Sequence, residues 1–127
     1  MVKRIRGVIS DWTEDEGTPL ARRALVAQGP SSLVAYVGVP EDHPLAGRHY
    51  DDMPLDCHGG LTFADKGGHS IWPKGWYWYG WDYAHAGDFL SFLPNSSDRQ
   101  WTVEDVEAEA RQVMKQIEAL LAESVAD

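Results

Sequence analysis

Apolar residues recur near the C-terminus at spacings of three and four, which is typical of a helix with one apolar face. The apolar positions are Val103, Val106, Ala110, Val113, Ile117 and Leu120. Thr102 stands at the N-cap position and Asp105 at the third helical position, where a carboxylate can complete a capping box. The pattern predicts a helix from residue 103 to about residue 124.

Shorter apolar runs, separated by Pro and Gly, precede this helix and are typical of strands. The predicted strands lie within residues 5–11, 20–27, 32–39, 61–64 and 71–83. Residues 13–18 are acidic and contain Gly, which favours a hairpin loop between the first two strands. Residues 40–57 are rich in Pro and Gly, and we expect them to form a long structured loop folded over a sheet edge.

The most aromatic segment is the predicted strand within residues 71–83. Because side chains of a strand alternate between its two faces, this segment should carry aromatic rings on both. One face would hold Trp76, Trp78, Gly80 and Asp82, and the other Tyr77, Tyr79, Trp81 and Tyr83. A strand covered on both faces is expected in the interior of a sheet.

Together these elements predict an α+β fold in one domain, residues 1–127. A small antiparallel sheet of four or five strands would pack one face against the long C-terminal helix. The helical stripe also fits a short coiled-coil seam, which would instead make a homodimer through helix 103–124.

Composition and charge restrict the compartment and the partners. The formal charge of -9 opposes phosphate backbones, so direct binding to nucleic acid is not expected. Cys57 is the single cysteine, and the N-terminus lacks the apolar core of a signal peptide. No apolar run is long enough to span a bilayer. These features predict a cytoplasmic protein with no membrane partner.

Three polar segments, residues 43–52, 57–62 and 82–88, stand at the ends of predicted strands. Glycines there free backbone N–H groups to approach an anion. We therefore expect a site for a small anionic or nucleotide-like ligand. Its predicted residues are Arg48, His58, Gly59, Gly60, Thr62, Asp82, His85 and Asp88.

Asp82 ends an aromatic strand, where an unpaired carboxylate would be costly to bury. We expect it to pair with His58, His85 or Arg48. The tryptophans add an aromatic-cage interpretation, in which a planar or cationic ligand stacks on their rings. The residues concerned are Trp72, Trp76, Trp78 and Trp81.

The same polar residues allow two further interpretations. His58, Asp82, His85 and Asp88 offer two imidazoles and two carboxylates, which suit a divalent metal and a metal-dependent hydrolase. No other cofactor is predicted. A thiol enzyme using Cys57 is not favoured, because adjacent residues of a strand point to opposite faces.

Four segments resemble a family of small proteins from phage genomes and from bacterial mobile elements, over residues 32–120. They read YVGVPEDHPLAGRHYDD, CHGGLTF, WYGWDYAHAGD and WTVEDVEAEA. The resemblance implies an accessory phage gene but supplies no catalytic residues. We therefore expect a non-enzymatic phage-type accessory protein that binds the ligand above in the host cytoplasm and counteracts host defence. The alternatives are the metal-dependent hydrolase and an acidic protein that binds and blocks a host protein.

Overall fold

The computed structural model describes residues 7–30, 32–83 and 101–126. Within these ranges the chain forms five strands, a single-turn 3-10 helix and one long helix. The strands are β1 (Gly7–Glu14), β2 (Arg22–Gln28), β3 (Leu33–Pro40), β4 (Phe63–Lys66) and β5 (Trp76–Asp82). The short helix is Tyr50–Asp52 and the long helix is α1 (Val103–Ala126).

The five strands form one antiparallel sheet with the order β1-β2-β3-β5-β4. In the interior pair β3 and β5, Tyr36 stands opposite Gly80 and Val34 opposite Asp82. β4 covers only the first part of β5, from Lys66 opposite Tyr77 to Phe63 opposite Gly80. The predicted α+β fold is confirmed, and the aromatic strand lies inside the sheet as expected.

Helix α1 begins at the predicted capping box. The Thr102 hydroxyl accepts a hydrogen bond from the Asp105 N–H at 3.1 Å, and the Asp105 carboxylate accepts one from the Thr102 N–H at 3.1 Å. The helix packs on β2 and β3, and its apolar stripe is buried there at Val106, Ala110 and Val113. Because the apolar stripe is buried against the sheet of the same chain, it does not support the predicted homodimer through helix 103–124.

Among the described elements, none is a helix both long and apolar enough to cross a membrane.

The sheet carries one apolar core on each face. The helix-side core includes Ala24, Val26, Ala35, Val37, Tyr79, Trp81 and Tyr83. The opposite core includes Leu25, Ala27, Val34, Tyr36 and Trp78, with Phe63, Ile71, Trp72 and Trp76 partly buried against it. The alternation predicted for the aromatic strand is thus observed.

The loop 40–57 lies on the helix side of the sheet, whereas we expected it over a sheet edge. Its apolar residues Leu45, Met53 and Leu55 are buried in the helix-side core. The Tyr79 hydroxyl donates to the Leu45 carbonyl at 2.6 Å. At the end of the loop, Gln116 of α1 accepts from the Asp56 N–H at 2.7 Å and donates to the Asp56 carbonyl at 2.9 Å. Burial of three apolar side chains therefore determines where the loop packs.

Candidate functional site

The structure divides the predicted site residues between the two sides of the sheet. Asp82 stands opposite Val34, so its side chain belongs to the side away from α1. His58 lies on the helix side, where its ring stacks on Tyr83 with the centroids 4.9 Å apart and the planes at 6°. The expected pairing of Asp82 with His58 is not found, because Asp82 and Tyr83 are neighbours in the chain and face opposite ways.

The other predicted residues are also dispersed. Arg48 is exposed on the loop 40–57. Gly59 and Gly60, with φ of 70° and 80°, form a tight turn closed by the Gly60 N–H, which donates to the Cys57 carbonyl at 3.0 Å. Thr62 is exposed, and its N–H donates to the Gly80 carbonyl at 2.9 Å. His85 and Asp88 lie outside the described residues.

The predicted metal site gains no support from the described ranges. Across residues 7–30, 32–83 and 101–126, no group of three or more His, Cys, Asp or Glu side chains lies close enough to hold a metal ion. His58 and Asp82 are on different sides of the sheet, and the other two predicted ligands fall outside these ranges.

A hydrogen-bonded cluster joins β5, α1 and the start of the 57–62 segment on the helix side. The Tyr83 hydroxyl donates to Glu109 Oε1, and the His58 N–H donates to Glu109 Oε2 at 2.9 Å. The Trp81 Nε1–H in turn donates to the Tyr83 hydroxyl at 3.0 Å. The Trp101 ring is tilted against those of His58 and Tyr83, at 4.7 and 5.0 Å. Both oxygens of Glu109 therefore accept a hydrogen bond.

Tyr83 of this cluster and Cys57, the chain neighbour of His58, are both held in their neutral forms. Burial, followed by the hydrogen bond to Glu109, raises the pKa of Tyr83. Burial and the nearby charges of Glu109 and Asp56 raise the pKa of Cys57 to about 12. Since the thiolate is the reactive form of cysteine, Cys57 is a poor nucleophile at neutral pH.

A pocket of ≈ 130 Å³ opens beside the unpaired end of β5. Four aromatic residues and one threonine line it, and we refer to it as the aromatic pocket. The lining residues are Tyr36, Thr62, Phe63, Trp72 and Trp81. Trp81 follows Gly80, where pairing with β4 ends, so the last two described residues of β5 have no β4 partner.

Three rings of the aromatic pocket, those of Tyr36, Phe63 and Trp72, pack against one another. Phe63 and Trp72 are stacked, with centroids 4.7 Å apart and planes at 21°. Both meet Tyr36 nearly at right angles, at 5.3 and 5.4 Å. Tyr36 in turn occupies the space over Gly80, where a side chain would collide with its ring. Such edge-to-face and offset contacts fix ring orientations before any ligand arrives.

The indole nitrogen of Trp72 is buried and has no hydrogen-bond partner, alone among the buried side-chain nitrogens and oxygens of the described residues. The Trp72 backbone is held tightly, because its N–H donates to the His69 carbonyl at 3.1 Å and its carbonyl accepts from the Gly68 N–H at 2.7 Å. A buried donor without an acceptor is costly, about 1–3 kcal/mol. One of the five residues that line the pocket therefore carries a buried donor with no acceptor among the described residues.

Charges near the aromatic pocket do not favour an anion. None of its five lining residues is cationic. Asp82 lies on the same face of β5 as Gly80, and its charge, after burial, raises the pKa of Tyr36. The pocket thus suits an uncharged or positively charged group better than a phosphate or carboxylate.

Sequence reasoning found part of this pocket. The aromatic-cage interpretation included Trp72 and Trp81, and the predicted ligand site included Thr62. Tyr36 and Phe63 were missed, because no local pattern connects them to Trp72. Trp76 and Trp78 pack in the same core as Tyr36 but are not among the lining residues; Trp78 is fully buried, and its indole N–H donates to the Pro73 carbonyl at 3.1 Å.

Comparisons with protein-family models, curated proteins and solved structures gave no match. The function must therefore be argued from the site itself.

Proposed function

We propose that this chain is a non-enzymatic accessory protein that binds a small, nucleotide-like ligand by inserting one planar ring into the aromatic pocket. The observation that carries the proposal is an open pocket with four aromatic residues among its five lining residues, one of which, Trp72, also carries a buried indole N–H without a partner. A ring with a carbonyl oxygen or an unprotonated nitrogen would supply the missing acceptor, while the aromatic walls supply contact area.

The volume of the pocket limits which part of a ligand it can enclose. Its volume of ≈ 130 Å³ is close to that of a protein cavity of about 150 Å³ that binds benzene. Pockets that enclose larger ligands measure about 300–1,000 Å³. The aromatic pocket therefore accepts a single six-membered ring such as a pyrimidine base. A sugar or phosphate attached to the ring would remain at the mouth, in contact with solvent.

The lining supports binding without chemistry. Thr62 and Tyr36 carry its two hydroxyl groups, and the raised pKa of Tyr36 keeps the phenol protonated. None of the five lining residues is a histidine, cysteine or carboxylate that could act as a base or a nucleophile. In the phage context that the sequence resemblance implies, capture of a nucleotide-like signal would be enough to counteract a host defence.

The test is isothermal titration calorimetry with uracil and with benzene, two single rings of which uracil alone has hydrogen-bond acceptors. The variants are Trp72→Phe and, as a matched control, Trp12→Phe. Trp12 lies on the edge strand β1, with Arg111 at 5.2 Å from its ring centre, and does not line the pocket.

We expect one uracil per chain with a Kd of about 1 mM or tighter. Trp72→Phe should weaken uracil binding by about two- to tenfold, the net contribution of one hydrogen bond, and leave benzene binding unchanged. Trp12→Phe should bind both rings like the wild type. The proposal fails if the wild type binds no uracil, or if Trp72→Phe binds it equally well.

A further inference from the structure

The Trp72 ring of the aromatic pocket is in contact with a histidine, His69, that is not among the lining residues. His69 and Trp72 stand opposite each other across a two-residue turn, and the Trp72 N–H donates to the His69 carbonyl at 3.1 Å. Opposite residues of an antiparallel pair carry their side chains on the same side. The two rings accordingly meet with their centroids 5.2 Å apart and their planes at 56°.

His69 is in turn held by a carboxylate of strand β4. Its Nε2 atom lies 3.2 Å from Asp65 Oδ2. The other oxygen, Asp65 Oδ1, accepts from the Lys66 N–H at 2.8 Å. Both oxygens of Asp65 therefore have a partner, which restricts the orientation of the carboxylate that His69 meets.

Strand β4 thus contacts the Trp72 ring in two ways. Phe63 and Asp65 are two residues apart in β4, so their side chains lie on the same face of the sheet. Phe63 stacks directly on Trp72 at 4.7 Å, and Asp65 reaches the same ring through His69. The side chains of His69 and Asp65 are 47% and 48% exposed. Exposed pairs of this kind change an equilibrium by no more than about fivefold.

We propose that His69 is a positioning residue for the aromatic pocket and that Asp65 acts through it, so that the two together hold the Trp72 ring in its ligand-binding orientation. This inference rests on the proposed function. Without His69, the Trp72 ring of the free protein would populate other orientations. The affinity for a ligand would then fall in proportion to the fraction of chains that keep the binding orientation.

A second histidine and aspartate provide a matched control on the loop 40–57. His49 Nδ1 lies 3.6 Å from Asp51 Oδ2, and the His49 ring meets the Tyr50 ring at 4.2 Å. This group therefore also combines an imidazole, a carboxylate and an aromatic ring. None of its three residues lines the aromatic pocket.

The experiment compares His69→Ala, Asp65→Ala and the double variant with His49→Ala. Uracil titrations are followed in ¹H–¹⁵N spectra of the tryptophan indoles, and thermal melts report stability. Each of the two single variants at the pocket should bind uracil about two- to fivefold more weakly. The double variant should lose no more than either one, because the two residues act as a unit. His49→Ala should bind uracil like the wild type.

The spectrum of free Asp65→Ala is the most specific readout, because this variant keeps the His69 ring. A shifted Trp72 Nε1–H resonance there reports a reoriented indole rather than a missing neighbouring ring. We expect this shift in Asp65→Ala and an unchanged Trp72 resonance in His49→Ala. If His69→Ala does not fold, His69→Gln takes its place, because glutamine keeps a donor for Asp65 and removes the ring.

A purely structural role in the turn would lower the melting temperature of the variants but leave uracil affinity and the Trp72 resonance unchanged. That result, beside a wild type that binds uracil, overturns the role of His69 and Asp65 alone. Losses that add in the double variant overturn the claim that Asp65 acts through His69. A wild type that binds no uracil overturns the proposed function, and the inference with it.

Discussion

The ring of Tyr36 lies directly over Gly80, its cross-strand neighbour. A Cβ atom at position 80 would stand 2.3 Å from Tyr36 Cδ1 and 2.5 Å from Cε1. The ring cannot easily withdraw, because Phe63 and Trp72 pack against it at 5.3 and 5.4 Å. Position 80 therefore has to be glycine for the aromatic pocket to exist.

We expect Gly80→Ala to lower the free energy of unfolding by about 1–3 kcal/mol, as overpacking in a core does, and to abolish uracil binding. Urea denaturation and calorimetry would measure the two effects. Gly38→Ala is the comparison, since a Cβ there meets the Trp78 ring at 3.0 Å and needs only a small adjustment. Equal losses in the two variants would contradict this explanation.

Two neighbouring arginines should differ strongly in their contribution to stability. The Arg22 side chain is 2% exposed; it donates to the Leu20 carbonyl at 2.9 Å and the Met114 carbonyl at 2.7 Å, and it forms an ion pair with Asp15. The Arg23 side chain is 27% exposed and forms an ion pair with Asp11 at 2.7 Å.

Chemical denaturation of the two methionine variants tests this difference. We expect Arg22→Met to lower the free energy of unfolding by about 1.5–3 kcal/mol, because the hydrogen bonds of a buried charged group are lost. Arg23→Met should lower the free energy of unfolding by only about 0–1 kcal/mol, because exposed ion pairs usually contribute no more than this to stability. A reversed order would show that the contacts of Arg22 do not outweigh the cost of burying its charge.

Cys57 should react slowly in the folded protein. Its pKa is raised to about 12 by burial and by Glu109 and Asp56, from 9.0 in an exposed thiol. We expect the rate of alkylation by iodoacetamide at pH 9 to be much lower in native buffer than in urea, where the thiol is exposed. Similar rates in both conditions would mean that the thiol is accessible and ionised in the fold.

Stability should decrease at alkaline pH. The pKa values of Cys57 and Tyr79 are each raised to about 12, and burial also raises those of Tyr36 and Tyr83. Since the folded state retains protons that the unfolded chain loses, stability is complete below the unfolded values of 9.0 for Cys and 10.0 for Tyr. It then falls as the pH rises toward 12.

Urea unfolding between pH 8 and pH 12 would follow this loss. Cys57→Ser removes the contribution that begins near pH 9.0 and leaves the later tyrosine contribution. Stability that stays constant over this range would contradict the burial of these groups.

The elements that sequence reasoning located correctly depend on local periodicity. The three- and four-residue spacing and the Thr102–Asp105 capping box define α1, and strict alternation assigns the two faces of β5. Each of these patterns lies within a single element, so it can be recognised without knowledge of the tertiary structure.

The site was harder to predict because it depends on strand order and on turns. Tyr36, Phe63 and Trp72 meet because β3 and β4 both flank β5. The turn at Gly59 and Gly60 places His58 against Tyr83 and so separates it from Asp82. Polar residues near strand ends were expected to converge, yet a shift of one residue along a strand reverses the face.

The central claim, that Trp72 offers its indole N–H to a ring in the aromatic pocket, is tested most directly by the Trp72 Nε1–H resonance in a ¹H–¹⁵N spectrum. Titration with uracil should move this resonance downfield, as formation of a hydrogen bond does, while the Trp12 resonance stays in place. Benzene should occupy the same pocket without the downfield shift, because it has no acceptor. A Trp72 resonance that does not move at saturating uracil would contradict the account.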